Sequence, residues 1–189
     1  MTEIYFLRHT TPDIELVYCY GQSDIGLKES FEREARRTRA QLPEDLSPYK
    51  VYSSPLQRCY RLAQKLKQPV IRDDRLKEIY FGRWEMLRWE EIENDPLYKE
   101  WRADFAHIPA PQGESFRDMA DRMEAFYRDL LAGGEEKFIV VSHGGAIRAL
   151  LARLIEMPLK NMFQLNIDFG GVTLIEAGAS NVKIKFLNR

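Results

Sequence analysis

The sequence predicts an α/β fold built on a mainly parallel central sheet. Three observations carry that prediction. Short apolar runs of strand length alternate with amphipathic stretches of helix length, as β-α-β units require. Two of the runs, residues 4–7 and 138–141, end alike: apolar residues give way to Arg8-His9 in one and to Ser142-His143 in the other. The second histidine is followed by Gly144-Gly145, which open a helical stretch, and strand ends are where open α/β sheets place their chemistry. Two of the three histidines in the chain therefore sit at strand tips.

Length and composition set the outer bounds. At 189 residues, with 44% hydrophobic and 12% aromatic residues, the chain has enough apolar material for one domain with a full core. Lys and Arg number 28 against 29 Asp and Glu, a formal net charge of -1. That balance offers no footprint for nucleic acid or an anionic membrane, so an anionic ligand must be held by a local pocket. The N-terminus lacks the basic flank and apolar core of a signal peptide, and no run is long enough to span a bilayer. A cytoplasmic protein is expected. Cys19 and Cys59 lack CxxC spacing and suggest neither a disulfide framework nor a zinc site.

In chain order, strand 4–7 is followed by Thr10-Thr11-Pro12-Asp13, where Pro12 has no N–H to continue a ladder. The loop 19–27 carries Tyr20, Gly21 and Gln22, and its two glycines suit a close backbone approach to a ligand as well as a plain connection. Residues 28 to about 42 form a charged helix with a narrow stripe of Phe31, Ala35, Thr38 and Leu42. Its arginines alternate with glutamates, which reads as a solvated face. Strand 50–53 leads into Ser54-Pro55, with Ser54 as cap and Pro55 in the first turn of a helix to about residue 66. Arg58 then lies in that first turn, against the helix dipole, a conflict that a bound anion relieves. A third strand is expected at 69–72.

Trp84, Trp89, Tyr98, Trp101 and Phe105 fall in the next stretch, helical from about 88 to 105 and broken by Pro96. Aromatics so spaced can line a cleft, but core is the favoured reading. A Pro-rich hinge at 108–113 precedes a clear amphipathic helix at 115–131. Residues from about 84 to 111 thus read as a cap inserted at the sheet's active edge, within one domain spanning 1–189. After Gly145 comes a helix over 146–156, stopped by Pro158. The tail predicts three short antiparallel strands, at 163–168, 172–176 and 182–186.

Five segments in order, Leu7-Arg8-His9-Thr10, Ser53-Ser54-Pro55-Leu56-Gln57-Arg58-Cys59, Leu76-Lys77-Glu78-Ile79-Tyr80-Phe81-Gly82-Arg83-Trp84-Glu85, Gly113-Glu114-Ser115 and Val141-Ser142-His143-Gly144-Gly145, resemble the signatures of the histidine phosphatase superfamily, the phosphoglycerate mutase-like group. The resemblance spans Tyr5 to about Leu151, and within the group the loop around Tyr20 is most similar to the α-ribazole phosphatase branch. It implies a three-layer α/β/α sandwich of the phosphoglycerate mutase-like kind. It also implies a phosphomonoesterase needing no cofactor and no metal. His9 would be the nucleophile, giving a phosphohistidine, with its other ring nitrogen fixed by a backbone carbonyl. Arg8 and Arg58 would clamp the phosphoryl oxygens, joined by a cationic His143 and the Gly144 N–H. Glu78 would protonate the leaving oxygen and then activate water. Thr10, Tyr20, Gly21, Gln22 and Gly144 complete the expected substrate contacts.

Three positions depart from the family pattern: Thr10-Thr11 stand where many members have Gly-Glu, and Met86 stands where Gly often follows the Trp-Glu pair. The expected substrate is a small phosphomonoester such as α-ribazole 5′-phosphate. Phosphoglycerate mutase-type transfer and a broad sugar-phosphate phosphatase compete with it, although the chain and its cap are short for a mutase. A non-catalytic phosphoryl binder would need neither nucleophile nor acid, and a metallohydrolase would need carboxylates at ligand spacing beside the histidines. The expected partner is a small molecule, with no nucleic acid and no membrane; a homodimer is left open.

Overall fold

A computed structural model describes residues 1–178 and 181–189. Its strands are β1 (Thr2–Arg8), β2 (Lys50–Ser53), β3 (Val70–Arg72), β4 (Lys137–Ser142), β5 (Val172–Ala177) and β6 (Val182–Phe186). They form one sheet in the order β3-β2-β4-β1-β5-β6. The first four of these are mutually parallel, and β5 and β6 add antiparallel on the β1 side.

The unbroken apolar run in β1 follows from its central place, because a strand covered on both faces needs no polar alternation. Ile4 and Phe6 point into one core, shared with Phe138, Val140 and the helices α5 (Phe116–Ala132) and α6 (Gly144–Leu154). Tyr5 and Leu7 point into the other, shared with Ile139, Val141 and the helices α1 (Phe31–Arg39) and α2 (Gln57–Leu66). Two-residue periodicity in the strands thus produces the expected three layers.

Register then places the site. Arg8 lies opposite Ser142 in the β1–β4 ladder, and the His9 N–H donates to the Ser142 carbonyl at 3.0 Å. The two histidines leave the sheet side by side. Helix α5 begins where the sequence signals it: Ser115 Oγ accepts from the Asp118 N–H at 3.2 Å while the Asp118 carboxylate accepts from the Ser115 N–H at 2.9 Å.

Two expectations are corrected. Helix α2 starts at Gln57, so Pro55 lies before it and Leu56 occupies the cap position; the Ser54 hydroxyl turns instead toward His143. Residues 163–168 form no strand. A 3-10 helix covers Leu159–Gln164, and the carbonyls of Leu165 and Ile167 beyond it accept from arginine side chains in place of a neighbouring strand. The helical stretch over 88–105 is broken at Pro96 as expected, into the short pieces α3 (Trp89–Ile92) and α4 (Tyr98–Ala103). Among the described residues no helix is long and apolar enough to cross a membrane.

Candidate active site

His9 is 2% exposed, and its Nδ1 lies 2.7 Å from the Thr10 carbonyl oxygen. A carbonyl only accepts, so Nδ1 carries the proton and the Nε2 lone pair is free. Burial, then the positive charges of Arg58 and Arg8, holds this imidazole well below its ordinary pKa. His9 is therefore a neutral base with one fixed tautomer, the form a ring-nitrogen nucleophile requires. His143 stands 5.1 Å away, ring centre to ring centre, with Nε2 2.8 Å from Ser54 Oγ and 3.4 Å from Cys59 Sγ. Burial and Arg58 hold it well below the usual histidine range too. The resemblance implies a cation here beside the substrate dianion; the burial of His143 and its arginine neighbours favour the neutral imidazole.

Arg8 and Arg58 flank the pair. The Arg8 guanidinium donates from Nη1 to the Ile167 carbonyl at 2.7 Å, and Phe169 stacks on it with its ring centre 3.6 Å from Cζ. Arg58 is fully buried, donates to the carbonyls of Ser23 at 2.8 Å and Gly21 at 2.5 Å, and has Tyr20 alongside. Carbonyls fix both side chains without neutralising them. In each the Nε atom is buried with no partner, as is Thr10 Oγ1. An unpaired buried donor costs roughly 1–3 kcal/mol, so three such donors beside one histidine mark where a ligand's acceptors belong.

Glu78 reaches the mouth of α6 from the loop after a short 3-10 helix. Its carboxylate accepts from the N–H groups of Gly145 at 3.0 Å and Ala146 at 3.1 Å. Gly145 makes the approach feasible, since a Cβ there would lie 2.4 Å from Glu78 Oε1. The Glu78 carbonyl is held by Gln22 Nε2 at 3.0 Å and Arg122 Nη2 at 2.9 Å.

A cavity of about 610 Å³ opens above this floor, lined by Arg8, His9, Tyr20, Glu78, Gly144 and Gly145. Its walls are Phe81, Trp89, Trp101, Phe105, Phe116 and Phe163, with Arg102 and Arg148 among them. Thr10, Arg58 and His143 are buried next to the floor rather than lining the cavity. Gly21 and Gln22, expected as substrate contacts, also stand behind the wall. A Cβ on Gly21 would meet the Ile79 carbonyl oxygen at 1.8 Å, and Gln22 braces Glu78. Core was the favoured reading of the 84–111 aromatics. Trp84 and Tyr98 do pack inside, but Trp89, Trp101 and Phe105 face the cavity.

Sequence reasoning missed Arg122, Arg148, Phe163 and Phe169. Arg148 carried a usable signal, being four residues past Gly144 on the same helix face. The other three gave none, because contacts far apart in sequence bring them in. Glu85 belongs with them: its carboxylate collects the N–H groups of Gln22, Ser23 and Phe81 and the Ser23 hydroxyl, tying the Tyr20 loop in place.

A neutral histidine at a parallel-strand tip, two guanidinium groups and a carboxylate at a helix mouth define a phosphoryl-transfer site. The chain belongs to the histidine phosphatase superfamily, branch 1, whose family model matches residues 4–189. It is similar to the glucosyl-3-phosphoglycerate phosphatase of Mycobacterium tuberculosis, 32% identical over 174 residues, covering 84% of this chain and 77% of that protein. It is 34% identical over 119 residues to the adenosylcobalamin/alpha-ribazole phosphatase of Escherichia coli, covering 60% of this chain and 57% of that one. The alpha-ribazole phosphatase structure from Shigella flexneri superposes with a TM-score of 0.90 at 26% identity, covering 100% of this chain and 96% of that chain. A bifunctional protein of M. tuberculosis is 32% identical over 97% of this chain, which spans 53% of its length; the chain spans about half the length of several curated relatives.

Proposed function

We propose that the protein hydrolyses small phosphomonoesters through a phosphohistidine, without a metal. The observation that carries this reading is His9: neutral, buried, its tautomer fixed by the Thr10 carbonyl, and set between two arginines whose Nε donors lack partners. His9 Nε2 attacks phosphorus, the P–O bond to the leaving group breaks, and Glu78 supplies the proton that the departing oxygen takes up. Water then gives a proton to Glu78 and attacks the phosphohistidine, releasing inorganic phosphate and restoring His9. Arg8 and Arg58 carry the charge on the phosphoryl oxygens throughout.

The aromatic walls suit a leaving group with a flat apolar face, and α-ribazole 5′-phosphate is such a compound. The similarity to alpha-ribazole phosphatases supports testing it first. Two buried free cysteines fit a reducing compartment, so we place the protein in the cytoplasm.

The test is phosphate release from a panel of phosphomonoesters in excess chelator, with His9→Ala beside the wild type and alkali-quenched protein assayed for base-stable, acid-labile phosphate. We expect turnover with chelator present, a phosphohistidine in the wild type, and a loss of at least ~10³-fold in His9→Ala. Undiminished turnover by folded His9→Ala would exclude the mechanism. With 3-phosphoglycerate, 2-phosphoglycerate in place of free phosphate would make the protein a mutase.

A further inference from the structure

Arg8 and Arg58 suffice to clamp one phosphoryl dianion, yet a third guanidinium stands beside them. Arg148 lies one turn along α6 from Gly144, and its side chain comes back over that glycine. Its Nε donates to the Leu165 carbonyl at 2.8 Å, and Nη2 faces the Ile167 carbonyl at 3.4 Å. The remaining nitrogen, Nη1, would sit 2.8 Å from a Cβ on Gly144, a point that is 3.0 Å from Arg8 Nε. The Phe163 ring, centred 5.9 Å from Cζ, lies against the same guanidinium. Main-chain carbonyls thus orient Arg148 and leave Nη1 directed into the cavity.

No carboxylate is in ion-pair contact with Arg148 among the described residues; burial lowers its affinity for its own proton, and the charges of Glu78 and Asp168 offset that only in part. A cation withdrawn from water against aromatic walls is costly unless the ligand brings its counter-ion. The cavity lining holds Arg8, Arg102 and Arg148 against one carboxylate, Glu78. Arg102 adds a cation that, among the described residues, is tied only to the Tyr98 hydroxyl, at 3.3 Å. A phosphoryl dianion offsets Arg8 and the buried Arg58. With Glu78 counted, one net positive charge of the Arg148 and Arg102 pair is left over, on the leaving-group side.

We infer that Arg148 binds a second acidic group of the substrate, a carboxylate or phosphate carried on the leaving group, so that the preferred substrates are phosphomonoesters that are also acids. This rests on the phosphomonoesterase reading above and narrows it. α-Ribazole 5′-phosphate carries no such group and ranks below acid-bearing esters of similar size.

The test compares matched esters that differ by one carboxylate: 4-carboxyphenyl phosphate against phenyl phosphate, and O-phosphoserine against O-phosphoethanolamine. In the wild type, kcat/KM should favour the acid of each pair by about tenfold, the lower end of what a charge-assisted hydrogen bond contributes. In Arg148→Met the preference should shrink to about twofold or less, chiefly through a higher KM for the acids, and Arg148→Lys should restore part of it. Equal wild-type turnover of acid and neutral esters would overturn the inference. So would an equal loss on both members in folded Arg148→Met, which would put Arg148 on the transferring phosphoryl group. Either result leaves the phosphomonoesterase reading standing, whereas failure to hydrolyse any ester would sink both.

Discussion

The floor of the cavity and its walls are built on different principles. On the floor, main-chain groups position most of the functional side chains: the Thr10 carbonyl holds His9, the Gly21 and Ser23 carbonyls hold Arg58, and the Gly145 and Ala146 N–H groups hold Glu78, while His143 meets the side chains of Ser54 and Cys59. The walls are aromatic rings on two short helices, a 3-10 turn, the start of α5 and the loops between, packed edge to face at ring separations such as 5.6 Å for Phe81–Trp89 and 5.3 Å for Phe105–Phe116. Hydrogen bonds of defined length specify a reaction geometry. Ring packing tolerates substitution and sets which leaving groups fit. A change to the floor should therefore lower turnover of every ester, and a change to a wall should reorder the esters.

The largest effect after loss of His9 itself is expected from Gly145→Ala. The added methyl would occupy space 2.4 Å from Glu78 Oε1 and 3.1 Å from its Cδ, forcing the carboxylate off the mouth of α6. Loss of a positioned acid and base costs typically 10²–10⁴-fold, so kcat should fall by about 10²-fold on every substrate. Esters with very acidic leaving groups, which need no proton, should lose less. A uniform change in KM with kcat preserved would show that Glu78 holds its place by other means.

The acid side of the pH–stability curve tests the floor from another direction. Both strand-tip imidazoles are held neutral well below the ordinary value of 6.5, at which they titrate in the unfolded chain. Above that pH neither state binds the protons, and stability is full. Below it the unfolded chain takes them up and the folded protein does not, so stability falls as pH drops. Each histidine adds a slope of up to about 1.4 kcal/mol per pH unit. Urea unfolding midpoints between about pH 5 and 8 should fall on the acid side, and His9→Asn should remove part of that slope. A flat profile would mean that His9 and His143 are protonated in the folded protein.

Wall substitutions should do less to catalysis. Trp101 touches Phe81, Trp84, Tyr98 and Phe105 and also lines the cavity. Trp101→Leu keeps an apolar side chain but removes the flat face. We expect kcat/KM to fall about fivefold for aryl phosphates, given the roughly 0.5–1.5 kcal/mol that an aromatic pair adds, and to change little for glycerol phosphate. An equal fall on both would show that the wall supports the floor rather than sorting substrates.

The same contrast explains what was legible in the sequence. Strand-tip chemistry is written locally: an apolar run, then Arg8-His9 or Ser142-His143, with parallel pairing to bring them together. Glu78 and Arg58 could be assigned because short, ordered segments carry them. The walls were not legible. Whether Trp89 or Trp84 faces inward depends on how two helices of a few residues settle, and spacing over so short a span does not decide it. Nor could spacing show that Gln22 braces Glu78, or that residues 165–167 give their carbonyls to Arg8 and Arg148. The expected strand at 163–168 failed for that last reason: alternation marks residues that can face two ways, and here guanidinium groups supply the hydrogen bonds a neighbouring strand would have made.

Met86 marks the seam between the two regions and carries the smallest prediction. It stands where many family members have glycine, and its backbone adopts φ 66, the left-handed region that a side chain disfavours. The turn is kept because it stitches the segment leaving Glu85 to the Tyr20 loop: the Met86 N–H donates to the Cys19 carbonyl at 2.7 Å, and the Cys19 N–H donates to that of Leu87 at 2.8 Å. The side chain itself is 48% exposed and contributes little packing. Met86→Gly relieves the strained φ but gives the unfolded chain more freedom, so the net gain should be only about 0.5–1 kcal/mol. For a domain of this size that is a rise in Tm of roughly 2–4 °C per kcal/mol. A lower Tm would mean that the Met86 side chain stabilises the seam by more than its strained backbone costs, making walls and floor less separable than the ring packing suggests.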